Sequence, residues 1–181
     1  MSANLTQRPA PAIDGSGRRV ALVCARFNDV IVDRLEAGAR RALGAAGVDA
    51  DDVEVIRVPG ALEAPSAVLA AVRSGRFDAV VALGVVLRGD TYHFEVVSNE
   101  SASGIMRVAI DTGAAITNCI LTVDTLEQAL ERSGDGPGNK GADAAAAALE
   151  MCVVLEALTP VDSGRDDTAT DDTATAGTKL E

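Results

Sequence analysis

Four times along this chain a short apolar run gives way to a segment with helical spacing, and that alternation narrows the fold more than any other feature. The runs are Arg19–Ala25 (RVALVCA), Val53–Val58 (VEVIRV), Phe77–Val86 and a fourth near Ala115–Thr122. After the first, Asn28 or Asp29 can cap a helix that carries Ile31, Leu35, Ala39, Ala42 and Ala46 on one stripe and ends near Gly44 and Gly47. Further helices are predicted over about 62–73, after Pro59-Gly60, and over about 92–111. Two more run from Asp124 or Thr125 to Arg132, and from about Lys140 to Leu158. Strand and helix in alternation predict parallel pairing, right-handed crossovers and helices on both faces of the sheet. The run over 77–86 is continuous rather than alternating, as in a strand covered on both sides. The fold class is therefore α/β, a three-layer α/β/α domain on a four-stranded parallel sheet.

The expected organisation is a flexible arm over 1–17, one domain over 18–158 and a disordered acidic tail over 159–181. That tail holds six acids against two bases and almost no apolar residues, too few to offset its ordering entropy. The 181 residues suit one domain with a sizeable core. With no Trp, three Phe and one Tyr, that core must be built from Ala, Val, Leu and Ile. Three of the four aromatics, Phe27, Tyr92 and Phe94, stand at loop-to-helix junctions. A net charge of −11 argues against a nucleic-acid partner, which needs a basic face. No apolar run reaches the roughly 18 residues of a membrane span, and the N-terminal residues have no signal-peptide core. Cys24, Cys119 and Cys152 are odd in number and far apart, which reads as buried free thiols in a cytoplasmic protein.

Several familiar motifs fail on context. Gly136-Pro137-Gly138-Asn139-Lys140-Gly141 fits GxGxxG, but a helix precedes it where a dinucleotide site needs a strand, so a flexible helix-to-helix loop is expected. The turn after the first strand, Ala25-Arg26-Phe27-Asn28, has no glycine. The Walker pattern and GxSxG are absent, and a single histidine excludes HExxH, so metal catalysis is not expected.

What remains is the row of loops at the carboxyl end of the sheet, where open α/β sheets bind ligands. The first holds Arg26, Phe27 and Asn28; the second holds Pro59, Gly60, Ala61, Leu62 and Glu63; the third runs from Arg88 to His93. The fourth strand bears Asn118, with Arg132 beyond it. His93 is the only imidazole, the side chain whose ordinary pKa lies nearest neutrality. Gly89-Asp90-Thr91 at a helix start can cradle a phosphate with free N–H groups and the helix dipole. An aromatic, a carboxylate, an imidazole and a guanidinium together suit a heteroaromatic substrate and an anion. Each also has an ordinary structural use: Phe27 as a staple, Glu63 as a first-turn acid, Arg132 in a surface ion pair, His93 in a solvated first turn.

The stretches ARFND (25–29), VPGALEAP (58–65), ALGVVLRGDTYHFEVVSNESASG (82–104), ILTVDTLEQALERSG (120–134) and GNKGADAAAAALEM (138–151) resemble the 6,7-dimethyl-8-ribityllumazine synthase family, in family order and spacing. The resemblance implies a flavodoxin-like fold and a cofactor-free transferase of riboflavin biosynthesis. Such an enzyme condenses 5-amino-6-(D-ribitylamino)uracil with 3,4-dihydroxy-2-butanone 4-phosphate, releasing phosphate and water. It implies that Phe27 stacks on the pyrimidine and that Ala61, Leu62 and Glu63 hold the ribityl chain and ring edge. Val85, Val86 and Leu87 would line the pyrimidine pocket, with Asn118 bordering it. Gly89, Asp90, Thr91 and Arg132 would bind the butanone phosphate, Lys140 would add positive potential, and His93 would be the proton donor. Leu62 and Asn118 stand where many members have Phe. The family further implies homopentamers with sites between subunits, some built into sixty-subunit shells, and a functional link to riboflavin synthase. A non-catalytic shell-forming scaffold on this fold is the alternative; it would be expected to have lost His93 or Arg132, and both are present.

Overall fold

The computed structural model describes residues 13–158. Its sheet holds β1 (Val20–Ala25), β2 (Val53–Val58), β3 (Ala79–Leu87) and β4 (Ala115–Val123), all parallel, in the order β2-β1-β3-β4. The helices are α1 (Asp29–Ala45), α2 (Ala64–Arg73), α3 (His93–Thr112), α4 (Leu126–Arg132) and α5 (Lys140–Leu158). Alternate residues of the central strands point to opposite faces, as a pleated strand requires. Leu22, Cys24, Val81 and Leu83 share one core with Leu35 and Leu43 of α1 and Leu149 and Cys152 of α5. Ala21, Val23, Val80 and Ala82 share the other with Val68 of α2 and Ile105 of α3. Three layers and two cores result, as the alternation predicts. Each fully buried leucine, such as Leu22, Leu35 or Leu83, contributes about 1.5–3 kcal/mol.

Close packing of α1 on α5 depends on Asn139 and Gly141. The Asn139 side chain is buried and fully engaged: Nδ2 donates to Arg34 O at 3.2 Å and Gly134 O at 2.9 Å, and Oδ1 accepts from Ala142 N at 3.1 Å. A Cβ on Gly38 would stand 2.0 Å from Asn139 Oδ1, and one on Gly141 would stand 2.0 Å from Leu35 O. The end of the expected flexible loop is therefore a clasp, because Asn139 binds α1 and Gly141 admits α1's backbone, while Gly136 and Gly138 stay exposed.

Local boundaries shift for identifiable reasons. Asn28 does precede α1, yet its side chain does not cap; it holds φ 58 and ψ 45, and its backbone carbonyl accepts from Ile31 N and Val32 N. Leu62 and Glu63 form a turn, and α2 begins only at Ala64 with Pro65 in its first turn, where a missing N–H costs nothing. Phe77 falls outside β3, and the guanidinium groups of Arg19 and Arg76 lie over its ring. Thr125 caps α4, its Oγ1 accepting from Gln128 N at 3.3 Å. The segment expected as an arm is docked over 13–17: Ile13 packs on the core and Gly15 N donates to Ala46 O at 2.7 Å. Residues 1–12 and the predicted tail over 159–181 lie outside the described residues.

Candidate active site

At the carboxyl end of the sheet, three loops and the start of α3 enclose a cleft of about 510 Å³. β1 delivers Phe27 and Asn28, β2 delivers Gly60, Ala61, Leu62 and Glu63, and β3 ends in Val85, Val86 and Leu87. α3 adds His93 and, one turn on, Val97. Phe27 is 70% exposed, a large apolar ring held at the mouth with no protein covering most of it. Asn28 aims it: the left-handed backbone turns the loop sharply, and Asn28 Nδ2 reaches Val85 O at 3.5 Å. Gly60 keeps the space beside it open, since a Cβ there would stand 3.0 Å from the Phe27 ring and 3.1 Å from Glu63 Oε2. The floor is apolar and buried at Ala61, Val85 and Val86, while Glu63 and His93 are exposed polar groups on the rim. A preformed apolar cleft with a few polar groups around it suits a flat organic ligand.

Gly89, Asp90 and Thr91 form the exposed tip of the loop beside this cleft, just before α3, without lining its wall. A Cβ on Gly89 would meet nothing within 4 Å. Arg88, at the base of that loop, contacts Asp124 and Glu95; it holds the Glu95 carboxyl below the usual carboxylate range, and their hydrogen bonds raise its own pKa.

Two predicted site residues stand apart. Asn118 pairs with Ala82, whereas the cleft residues Val85–Leu87 pair with Leu121–Val123. Three strand residues place it roughly 10 Å towards the amino end of the sheet. It lines a separate depression on β4 with Lys140 and Asp143, its Oδ1 accepting from Ile120 N at 2.9 Å. Arg132, at the end of α4, lines neither depression. Its Nη1 donates to Gln128 O at 3.0 Å, and its nearest acid, Glu131, is 3.8 Å away. Lys140 is paired with Asp143 at 2.7 Å, so its charge is largely compensated.

Sequence reasoning passed over Val97 and placed Arg88 in the third loop without a role. Val97 was legible in principle, because a residue four places after His93 shares its helix face. The role of Arg88 was not, since its partners come together only in the fold. Burial, and for Cys24 also nearby Glu36, pushes the Cys24 and Cys119 thiols up to about 12, so neither offers a thiolate at neutral pH. All three cysteines are free and buried. Among the described residues no group of three His, Cys, Asp or Glu side chains could hold a metal ion, and no helix is long and apolar enough to cross a membrane.

Residues 17–156 match the family model of 6,7-dimethyl-8-ribityllumazine synthase. A protein of that name from Anaeromyxobacter sp. (strain K) is 52% identical over 144 residues, 80% of this chain and 89% of the relative. Its namesake from Gemmatimonas aurantiaca is 46% identical over 153 residues, 84% of this chain and 93% of the relative. That from Nitratidesulfovibrio vulgaris (strain DP4) is 44% identical over 146 residues, 81% and 94% respectively.

Proposed function

The chain belongs to the 6,7-dimethyl-8-ribityllumazine synthase family and is a transferase of riboflavin biosynthesis, and we propose that the carboxyl-edge cleft is where it works. The substrates are 5-amino-6-(D-ribitylamino)uracil and 3,4-dihydroxy-2-butanone 4-phosphate. The aromatic amine attacks the ketone and water leaves to give an imine. Phosphate is eliminated to leave an enol that tautomerises to a ketone, and the second amine closes the ring on that carbonyl with loss of a second water. No step needs a covalent enzyme nucleophile or a cofactor. Phe27 stacks on the pyrimidine above the floor of Val85, Val86 and Leu87, while Ala61, Leu62 and Glu63 hold its edge and the ribityl chain. Gly89, Asp90 and Thr91 receive the phosphate. His93, beside them at the start of α3, moves protons between the reacting groups. Alignment of two substrates is worth up to about 7–11 kcal/mol, and proton transfer adds roughly 10²–10⁴-fold.

The observation that carries this reading is the convergence of Phe27, Glu63, Val85 and His93, from four separate elements, on one cleft. Asn118 and Arg132 lie outside that cleft in a single copy, which supports a site completed by a neighbouring subunit. On this reading Asn118 borders the pyrimidine, and Arg132 binds the phosphate, from the adjacent chain of a cytoplasmic pentamer. Twelve such pentamers would make a shell of sixty, and the product would pass to riboflavin synthase. Mixing the purified protein with both substrates tests the proposal: the lumazine chromophore should appear, and its absence with well-folded protein would favour the scaffold alternative. Sedimentation distinguishes monomer, pentamer and shell.

A further inference from the structure

Arg88 is the most heavily tethered side chain near the cleft, and none of the roles above uses it. Its Nε donates to Asp124 Oδ1 at 2.6 Å and its Nη1 to Glu95 Oε1 at 2.5 Å. The guanidinium carbon stands 4.0 Å from the centroid of the Phe94 ring, and the Arg88 backbone N–H donates to Val123 O at 2.9 Å. These partners come from two different places. Val123 and Asp124 end β4 and lead to α4, which carries Arg132; Phe94 and Glu95 follow His93 in the first turn of α3. One guanidinium thus joins the base of the 88–92 loop, the end of β4 and the start of α3.

Gly89 and Asp90 have no hydrogen-bond or ion-pair partner among the described residues, so the loop tip is held only through its base. Two carboxylates compensate the Arg88 charge, and its planar fork is already committed to them. Such a group shapes a site better than it attracts an anion. Its exposure is 45%, with Asp124 at 62%, a setting in which ion pairs add little to stability. Its loss should therefore leave the fold intact.

We propose that Arg88 is a positioning residue, clamping the Gly89–Thr91 cradle in register with His93 without itself binding the phosphate. The proposal rests on reading that loop as the phosphate cradle. In the assembled full-length enzyme, Arg88→Met should raise KM for the butanone phosphate, and weaken competitive inhibition by inorganic phosphate, roughly tenfold. KM for the pyrimidine and the Tm should stay as in wild type. Arg88→Lys, able to keep one of the two contacts, should recover part of the loss. Asp124→Asn separates the two roles for the guanidinium: a clamp predicts weaker phosphate binding, whereas a direct ligand freed from its acid predicts tighter binding. Tighter binding in Asp124→Asn, or a parallel rise of both KM values with a fall in Tm, would overturn the proposal. A wild type insensitive to inorganic phosphate would remove the cradle and this proposal with it. A sensitive wild type indistinguishable from Arg88→Met would remove the clamp alone.

Discussion

Two glycine-bearing loops carry the most motif-like sequence in the chain, and the fold uses them in opposite ways. In GPGNKG (136–141) the Asn139 side chain is bonded at both ends, Gly141 lies against the backbone of Leu35, and Gly38 comes up against Asn139. In RGDTYH (88–93) the glycine has empty space around it, and Asp90, Thr91 and His93 face outward. The Asn139–Gly141 end of the first loop is packed against the protein, although Gly136 and Gly138 stand as open as Gly89; the second loop leaves its donors available. A glycine whose missing Cβ is occupied by a neighbouring backbone is a packing residue, whatever pattern surrounds it.

The contrast can be broken in five places. Gly141→Ala has the largest expected effect, because its Cβ would be driven into Leu35 O with main chain on both sides. A loss of about 3 kcal/mol or more should be read from the urea midpoint; a change below about 1 kcal/mol would mean the clasp yields easily. Next comes His93→Ala at the other loop. It should cut kcat roughly 10²-fold with the urea midpoint unmoved, leaving measurable activity from alignment alone. Wild-type turnover across the pH range would end its role as proton carrier.

Asn139→Ala should cost about 2 kcal/mol, since it leaves Gly134 O and Ala142 N without their partner. Gly38→Ala should then hurt less in the Asn139→Ala background than alone, because the amide that blocks the new methyl is gone. Strict additivity would show that the two do not touch. The smallest effect belongs to Glu95, whose carboxyl Arg88 holds below its usual range. A depressed carboxylate pKa stabilises the fold above the ordinary value of 4.5 and loses that contribution as pH falls through the folded value. With both partners near the surface, acid should loosen this rim contact before the fold gives way. Comparing Tm of wild type and Glu95→Gln between pH 6 and about pH 3 tests it: the difference should shrink as the pH drops.

The sheet was legible because burial on both faces leaves a local trace: the apolar runs around β1 and β3 needed no tertiary information. Phe27, Glu63 and His93 could be grouped because parallel strands send all their following loops to one edge, whereas Val85 was expected only from the family resemblance. The clasp could not be recognised, since Gly38 and Asn139 are a hundred residues apart and nothing local to GNKG marks α1 as its partner. Asn28, one of two residues expected to cap α1, instead turns its amide to Val85 while a left-handed backbone does the turning. The detachment of Asn118 from the cleft was equally invisible, because a strand position becomes a distance only once the register with β3 is known.

Arg18 and Glu156, joined by a two-pronged ion pair, bring the first strand's approach and the last helix's final turn together at the amino end of the sheet. The described fold therefore begins and ends at one pole, while the cleft opens at the other. A linker closing residues 13 and 158 into a ring would lie at the pole opposite the proposed substrate cleft. In engineering terms the molecule has a handle and a mouth, set at opposite ends of its four strands.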